Sequence, residues 1–224
     1  LESAAVRENL IRFVAEQVLA LPHHGVVRVG VDGVDGAGKT VFAGELAEAI
    51  LRTGRPVIRA SVDGFHQARS ARYQRGRSSP EGYFHDSYDY ATLRTALLDP
   101  LSAGGDRMYR RVVFDHICDR AVDSGVEQAA AESVLVFDGI FLHRSELAEY
   151  WDYSIFLDVD FSVSGARMAV RDGADPHPDA PANQRYVRGQ MHYLATYRPR
   201  TLASIVIDNN DLDRPLVVTR QSIS

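Results

Sequence analysis

Gly33-Val34-Asp35-Gly36-Ala37-Gly38-Lys39-Thr40 fits the pattern G-x-x-x-x-G-K-[ST], and the residues on either side supply the context that pattern requires. An apolar run at 26–31 precedes it, and a run with helical spacing at 41–51 follows. The glycines let the backbone curl with its N–H groups pointing inward, and the helix N-terminus adds partial positive charge. A polyphosphate is therefore expected on Gly33, Asp35, Gly36, Ala37, Gly38, Lys39, Thr40 and Val41, with Lys39 reaching the β- and γ-phosphates and Thr40 ligating Mg²⁺. Lys39 is the only lysine in the chain, in which all other Lys/Arg positions are arginine. A compact ammonium on a flexible stem suits a phosphate cradle better than a planar fork.

Working outward, 56–62 reads as a second strand, so strand, helix and strand form a βαβ unit and the sheet is parallel. At the carboxyl end of that strand stands Ser61-Val62-Asp63-Gly64-Phe65-His66, where open α/β sheets place their ligands. The apolar run 134–137 ends in Asp138-Gly139, an acid at a buried strand tip that would hold Mg²⁺ directly or through water. Residues 67–86 are rich in arginine, serine, glycine and tyrosine without a period. They read either as a surface loop or as a cap over an acceptor pocket, with Tyr83, Phe84 and His85 as walls.

Upstream, Val6, Leu10, Phe13, Val14, Val18 and Leu21 recur at three- and four-residue intervals, an amphipathic helix that Pro22 stops. Downstream, 90–101 reads as helix, 106–121 as a short β-hairpin, 145–150 as a short helix and 154–159 as a strand. The helix 162–171 carries Arg167 and Arg171 four apart, on one face. A proline- and glycine-rich link at 172–181 cannot be regular helix. A helical segment with Arg185 and Arg188 then runs over 183–202, interrupted near Pro199, and strands at 204–207 and 216–218 close the chain.

With 224 residues and 45% hydrophobic content, the chain is expected to form one α/β domain, with 67–120 as acceptor cap and hairpin and about 171–188 as a lid. A net charge of -5 and scattered arginines argue against a nucleic-acid surface. The single cysteine, Cys118, excludes an intrachain disulfide and a cysteine-rich zinc site, as in a reducing compartment. No run has the length of a membrane span and no signal-peptide layout is present, so the chain reads as cytoplasmic, without a membrane partner.

The loop by itself implies only a bound nucleoside triphosphate. A guanine-nucleotide switch carries an Asn/Thr-Lys-x-Asp motif, which a chain with Lys39 alone cannot contain. A small-molecule kinase needs an acceptor pocket, a base and arginines that close over the phosphoryl group. Asp63 could take the proton of a hydroxyl in line with the γ-phosphate, and Arg167, Arg171, Arg185 and Arg188 bracket a link as a lid would.

Together with the loop, Val62-Asp63-Gly64-Phe65-His66, Phe137-Asp138-Gly139-Ile140-Phe141 and Arg167-Met168-Ala169-Val170-Arg171-Asp172 make the chain resemble the uridine kinase and phosphoribulokinase group of P-loop kinases, closest to bacterial uridine kinase-like proteins. The resemblance runs in order over about 26–210. It implies a P-loop NTPase fold with a five-stranded parallel sheet flanked by helices, a β-hairpin near the acceptor, and an arginine lid. It implies ATP and Mg²⁺, a small-molecule substrate of nucleoside type, and homodimers or tetramers. By position, Asp63 is the base that also binds ribose hydroxyls, and His66, Tyr83, Phe84, Asp86, Asp115, His116, Arg120 and Arg185 belong to the acceptor site. Thr40 and Asp138 hold the metal, and Asn209 packs the adenine.

Three segments differ from that group. Asp138-Gly139 stands where Glu-Gly is usual, the hairpin reads Phe114-Asp115-His116-Ile117-Cys118-Asp119-Arg120, and the lid lacks the Glu-Arg-Gly-Arg run. Pyrimidine recognition and the choice of closing arginines therefore stay open. The first reading is a uridine or cytidine 5′-kinase. The second is a kinase of another small alcohol, such as pantothenate or a sugar. A nucleotide-binding regulatory module without turnover is the third, against which Asp63 speaks.

Overall fold

The apolar runs around 26–31 and 134–137 become neighbouring strands at the middle of one sheet. The computed structural model describes residues 2–22 and 25–218. Chain order is α1 (Glu2–Leu19), β1 (Val27–Gly33), α2 (Lys39–Leu51), β2 (Val57–Ser61), α3 (Arg69–Arg72), α4 (Pro80–Asp86) and α5 (Tyr90–Leu93). Then come β3 (Met108–Tyr109), β4 (Phe114–Asp115), β5 (Arg120–Ala121), β6 (Glu127–Gln128), β7 (Val134–Asp138) and β8 (Tyr153–Asp158). The chain continues through α6 (Phe161–Asp172), α7 (Gln184–Tyr197), α8 (Pro199–Leu202), β9 (Ile205–Asp208) and β10 (Leu216–Val218).

The six-stranded sheet has the order β10-β9-β8-β1-β7-β2. Five strands are parallel and β10 is an antiparallel edge, one strand more than the resemblance implied. The βαβ unit is present, but β7 lies between its two strands, pairing Val29 with Val136 on one side and Arg59 with Val136 on the other. Every residue of β7 is buried, as a run apolar on both faces must be, and only a central position covers both faces.

Alternate residues of β7 feed two cores. Val134 and Val136 pack with Val27, Val29 and Val31 under α1 and α2, whereas Leu135 and Phe137 pack with Phe65, Phe84 and Phe141 on the opposite face. The buried stripe of α1 is Ile11, Val14, Ala15 and Val18, whereas Val6 and Phe13 of the expected stripe face solvent. Ala15 belongs to the same buried cluster as Ala43 and Ala47 of α2.

Residues 67–86 are not a patternless loop: Ser79 caps α4 by accepting the Gly82 N–H, with Pro80 in the first turn. The helix expected at 90–101 is α5 followed by a π-helical turn at Arg94–Leu98, which leaves Leu93, Leu97 and Leu98 all fully buried. The hairpin reaches beyond 121, with the β4–β5 ladder lying inside the β3–β6 ladder in sequence. Within 145–150 only Ala148–Tyr150 is helical, a 3₁₀ turn. Arg198, with φ of 45°, breaks the last long helix into α7 and α8 just before Pro199. No helix among the described residues is long and apolar enough to cross a membrane.

Candidate active site

The loop at 33–40 leaves β1 and enters α2 through two left-handed glycines, Gly36 with φ of 71° and Gly38 with φ of 89°. A Cβ on Gly36 would also lie 2.7 Å from the Ser164 carbonyl oxygen of α6, so the loop backbone fits this space only without a side chain. Lys39 Nζ donates to the Val34 carbonyl at 2.8 Å, across the loop. Val41 stands exposed in the first turn of α2.

Thr40 Oγ1 donates to Asp138 Oδ2 at 2.9 Å, and Asp138 is buried. The other oxygen of Asp138 accepts Arg59 Nη2 at 2.6 Å, a partner on β2 that the sequence reading did not include. Its signal was a guanidinium in the middle of a strand. Among the described residues no group of three or more His, Cys, Asp or Glu side chains forms a metal cage. One hydroxyl and one carboxylate beside a polyphosphate cradle fit Mg²⁺, which takes few protein ligands and completes its shell with phosphate and water.

Side chains from distant segments hold the loop. Asp32, fully buried at the end of β1, accepts the Gly33 N–H at 2.7 Å, His143 Nδ1 at 2.7 Å and the Tyr193 hydroxyl of α7. His143 Nε2 in turn meets Ser154 Oγ at 3.0 Å, and the Tyr193 hydroxyl accepts the His143 N–H at 2.9 Å. Gln190 Oε1 accepts the Asp35 N–H at 2.7 Å. None of these residues stands out locally.

Two residues expected at the ligand, Asn209 and Arg167, are hydrogen-bonded within the protein. Asn209 is fully buried, donates to the Ala37 carbonyl at 2.7 Å and accepts Arg7 Nη1 at 3.3 Å, so its side chain is hydrogen-bonded to the loop. Arg167 donates to the carbonyls of Asn209 at 2.8 Å, Asn210 at 2.9 Å and Gly36 at 3.4 Å. A guanidinium held by three carbonyls clamps the loop to the β9 exit and is not a free lid arginine. Burial, with the Arg7 charge beside it, lowers its pKa.

Asp63 begins the turn after β2, its N–H approaching Ser61 Oγ at 3.4 Å. His66 Nε2 and the Tyr88 hydroxyl each stand 3.5 Å from Asp63 Oδ1, while His66 Nδ1 pairs with the Ser87 carbonyl at 3.0 Å. The side chain of Asp63 is 62% exposed, so it remains open to a ligand. Burial of the surrounding cleft pushes its carboxyl upward, but His66, then His116 and Lys39, outweigh this and hold it below the ordinary value. At neutral pH it is an ionised base facing the field of the loop lysine.

Beside it lies a cavity of about 390 Å³, lined by Asp35, His66, Tyr83, Tyr88, His116, Met168, Arg171 and Arg185, and by Arg72 and Tyr73, which the sequence reading left unassigned. That volume suits a small molecule. The Tyr83 hydroxyl donates to Asp35 Oδ2 at 2.6 Å, and burial, with the Asp35 charge next, pushes the phenol well above its usual value, so it stays a donor. His66 and His116 rings stand 4.5 Å apart. Arg171 forks onto Asp172 at 2.8 and 2.6 Å at the cavity rim. The link before α7 is pinned by Asn183, which donates to the carbonyls of Asp175 and His177.

Other expected acceptor residues lie outside this cavity. Phe84 is a core residue, 1% exposed, packed on Phe141, His192 and Tyr193. Consecutive side chains on α4 diverge, so Tyr83 faces the cavity and Phe84 the core. His85 points away beside Phe84. Asp86 pairs with Arg75 at 2.9 Å, and Asp115 accepts the N–H groups of Ile117 and Cys118 to cap the hairpin turn. Arg120 is exposed on β5 and Arg188 on α7, neither lining the cavity.

Three solved structures share the fold. A possible uridine kinase from Bacillus stearothermophilus aligns at a TM-score of 0.70 and 22% identity, covering 88% of this chain and 97% of that one. A protein provisionally described as a fructose transport system kinase, from Silicibacter sp. TM1040, aligns at 0.66 and 22%, covering 83% and 94%. D-glycerate 3-kinase from Cryptococcus neoformans aligns at 0.54 and 13%, covering 85% and 89%. At such identities the likeness establishes fold alone, and no curated protein matches the chain in sequence. Residues 28–182, more than half of the chain and including the loop, Asp63 and Asp138, match the model of the Phosphoribulokinase / Uridine kinase family, and the chain belongs to that family of P-loop kinases.

Proposed function

We propose that this chain transfers the γ-phosphoryl group of ATP to a hydroxyl of a small acceptor held in the 390 Å³ cavity. The observation that carries the reading is Asp63, an ionised and accessible carboxylate beside that cavity and in the field of Lys39. The acceptor oxygen forms a bond to the γ-phosphorus, the bond to the bridging oxygen breaks, ADP leaves, and the hydroxyl proton passes to Asp63 Oδ. Lys39 balances charge on the β- and γ-phosphates, and Arg171 stands at the rim where charge develops on the transferred group. Thr40 and Asp138 would hold Mg²⁺, which when bound neutralises the phosphate oxygens.

Asp63→Asn should leave ATP affinity near wild type and lower turnover by about two to four orders of magnitude. ADP release under saturating acceptor measures it, and wild-type turnover would remove Asp63 from the chemistry. Nucleoside, sugar and pantothenate readings share this step. They differ in what the wall away from Asp63 must bind.

A further inference from the structure

We infer that the acceptor is an anion: Arg185, supported by Arg72 and Tyr73, receives a carboxylate or phosphate on the molecule whose hydroxyl meets Asp63. This rests on the reading of the cavity as the acceptor site. Arg185 is 6% exposed, yet no carboxylate pairs with it among the described residues. Among the described residues its side chain makes one hydrogen bond, from Nη1 to the Arg77 carbonyl at 2.6 Å, and its buried Nε has no partner. A guanidinium carries five N–H donors, so most of its capacity is unspent. Burying an unpaired charge is costly, and such groups persist where an opposite charge arrives to pair with them.

Ring faces partly offset the cost. The Arg185 guanidinium carbon lies 4.7 Å from the Tyr73 ring centroid and 5.7 Å from that of Tyr83. Arg72 flanks Tyr73 from its own side at 5.7 Å, pairs only loosely with Asp119 at 3.5 Å, and also has a buried Nε without a partner. The acids of the cavity are already engaged. Asp35 accepts from Tyr83 and Gln190, and Asp172 is forked by Arg171. Arg72 pairs with Asp119 and Arg171 with Asp172, so among the described residues Arg185 is the cavity guanidinium without a carboxylate partner.

Its neighbours also place it on the acceptor side. Tyr73, Arg77 and Tyr83 belong to the cap at 67–86, and among the described residues its hydrogen bond and ring contacts do not involve the phosphate loop. A planar guanidinium with free donors matches a carboxylate or a phosphate, and a neutral nucleoside would leave it unpaired.

The test uses the full chain with MgATP and acceptors that differ only in the acid: glycerol against glycerate, ribose against ribose 5-phosphate, with uridine as a neutral nucleoside. ADP release should favour the acidic member of one pair by at least about tenfold in kcat/KM, and which pair responds separates carboxylate from phosphate. Arg185→Gln should raise the KM for that acid by about 10- to 100-fold and leave the KM for ATP within about twofold. Arg185→Lys keeps charge in the fold and should recover part of the affinity.

Equal use of neutral and acidic members, a preference for uridine, or an Arg185→Gln effect confined to ATP would overturn the proposal. If no compound turns over, calorimetry of the same pairs decides: an acid bound by wild type and lost in Arg185→Gln supports it, and no acid bound refutes it. Wild-type turnover in Asp63→Asn would refute the catalytic reading alone and leave the acid preference standing.

Discussion

Tyr193→Phe removes one oxygen atom from beneath the phosphate loop. That oxygen donates to fully buried Asp32 and accepts the His143 N–H at 2.9 Å. The first bond is made to a charged group and is worth about 1.5–3 kcal/mol. The second leaves a buried amide unpaired, at about 1–3 kcal/mol. Some of this is regained because His143 Nδ1 and the Gly33 N–H remain on Asp32, each at 2.7 Å. A net loss of about 3 kcal/mol follows, which for a chain of this size lowers Tm by roughly 6–12 °C.

The assay is thermal unfolding followed by circular dichroism, with Tyr197→Phe as control. No hydrogen bond of the Tyr197 hydroxyl is found among the described residues, and that variant should stay within about 0.5 kcal/mol of wild type. Because Asp32 also holds the Gly33 N–H, ATP affinity should fall in Tyr193→Phe even well below its melting temperature. A Tyr193→Phe protein that melts within about 2 °C of wild type and binds ATP normally would refute the claim that α7 braces the loop through Asp32.

Three further outcomes are expected. Gly36→Ala forces a Cβ to 2.7 Å from the Ser164 carbonyl oxygen at a φ of 71°, and should abolish detectable ATP binding by calorimetry. His66→Gln removes the partner that most lowers the Asp63 carboxyl, so the acidic limb of the kcat/KM profile should move to higher pH; an unmoved limb would separate that limb from Asp63. Glu146, hydrogen-bonded by Arg144, has its pKa lowered from 4.5 to about 2. A depressed carboxyl stabilises the fold above its unfolded value and loses that contribution as pH falls toward 2. Glu146→Gln should therefore flatten the acid stability profile by about 1 kcal/mol, reduced from the full shift because the side chain is 37% exposed.

What could be read in advance follows from where the determining physics lies. The loop was legible because its geometry needs left-handed glycines and one ammonium within eight residues, so cause and effect are local. The strand β7 was legible because burial on both faces leaves an unbroken apolar run before Asp138, and β1 because its valines recur on either side of Arg28. The Asp32–Tyr193 bond joins residues 161 apart, and nothing near either residue announces the other. The same holds for Arg59 on Asp138 and for Asn209, whose amide looked free for a base until the fold brought Ala37 to it.

Tyr83 and Phe84 make the limit plain. Both were read as cavity walls, but neighbouring helical side chains point about 100° apart, so one face of α4 can carry only one of them. The choice belongs to α7. Gly189 has no Cβ, and one built there would lie 2.8 Å from Tyr83 Cδ1 and 3.0 Å from the Pro80 carbonyl. That absence lets α7 approach α4 closely enough to seat Phe84 in the core against Tyr193 and turn the Tyr83 hydroxyl to Asp35. The helix that supplies Arg185 to the cavity thus also orients the Tyr83 wall beside it, so acceptor binding and loop support are linked through one packing contact. Gly189→Ala should disturb both together, through the KM for acceptor and the KM for ATP.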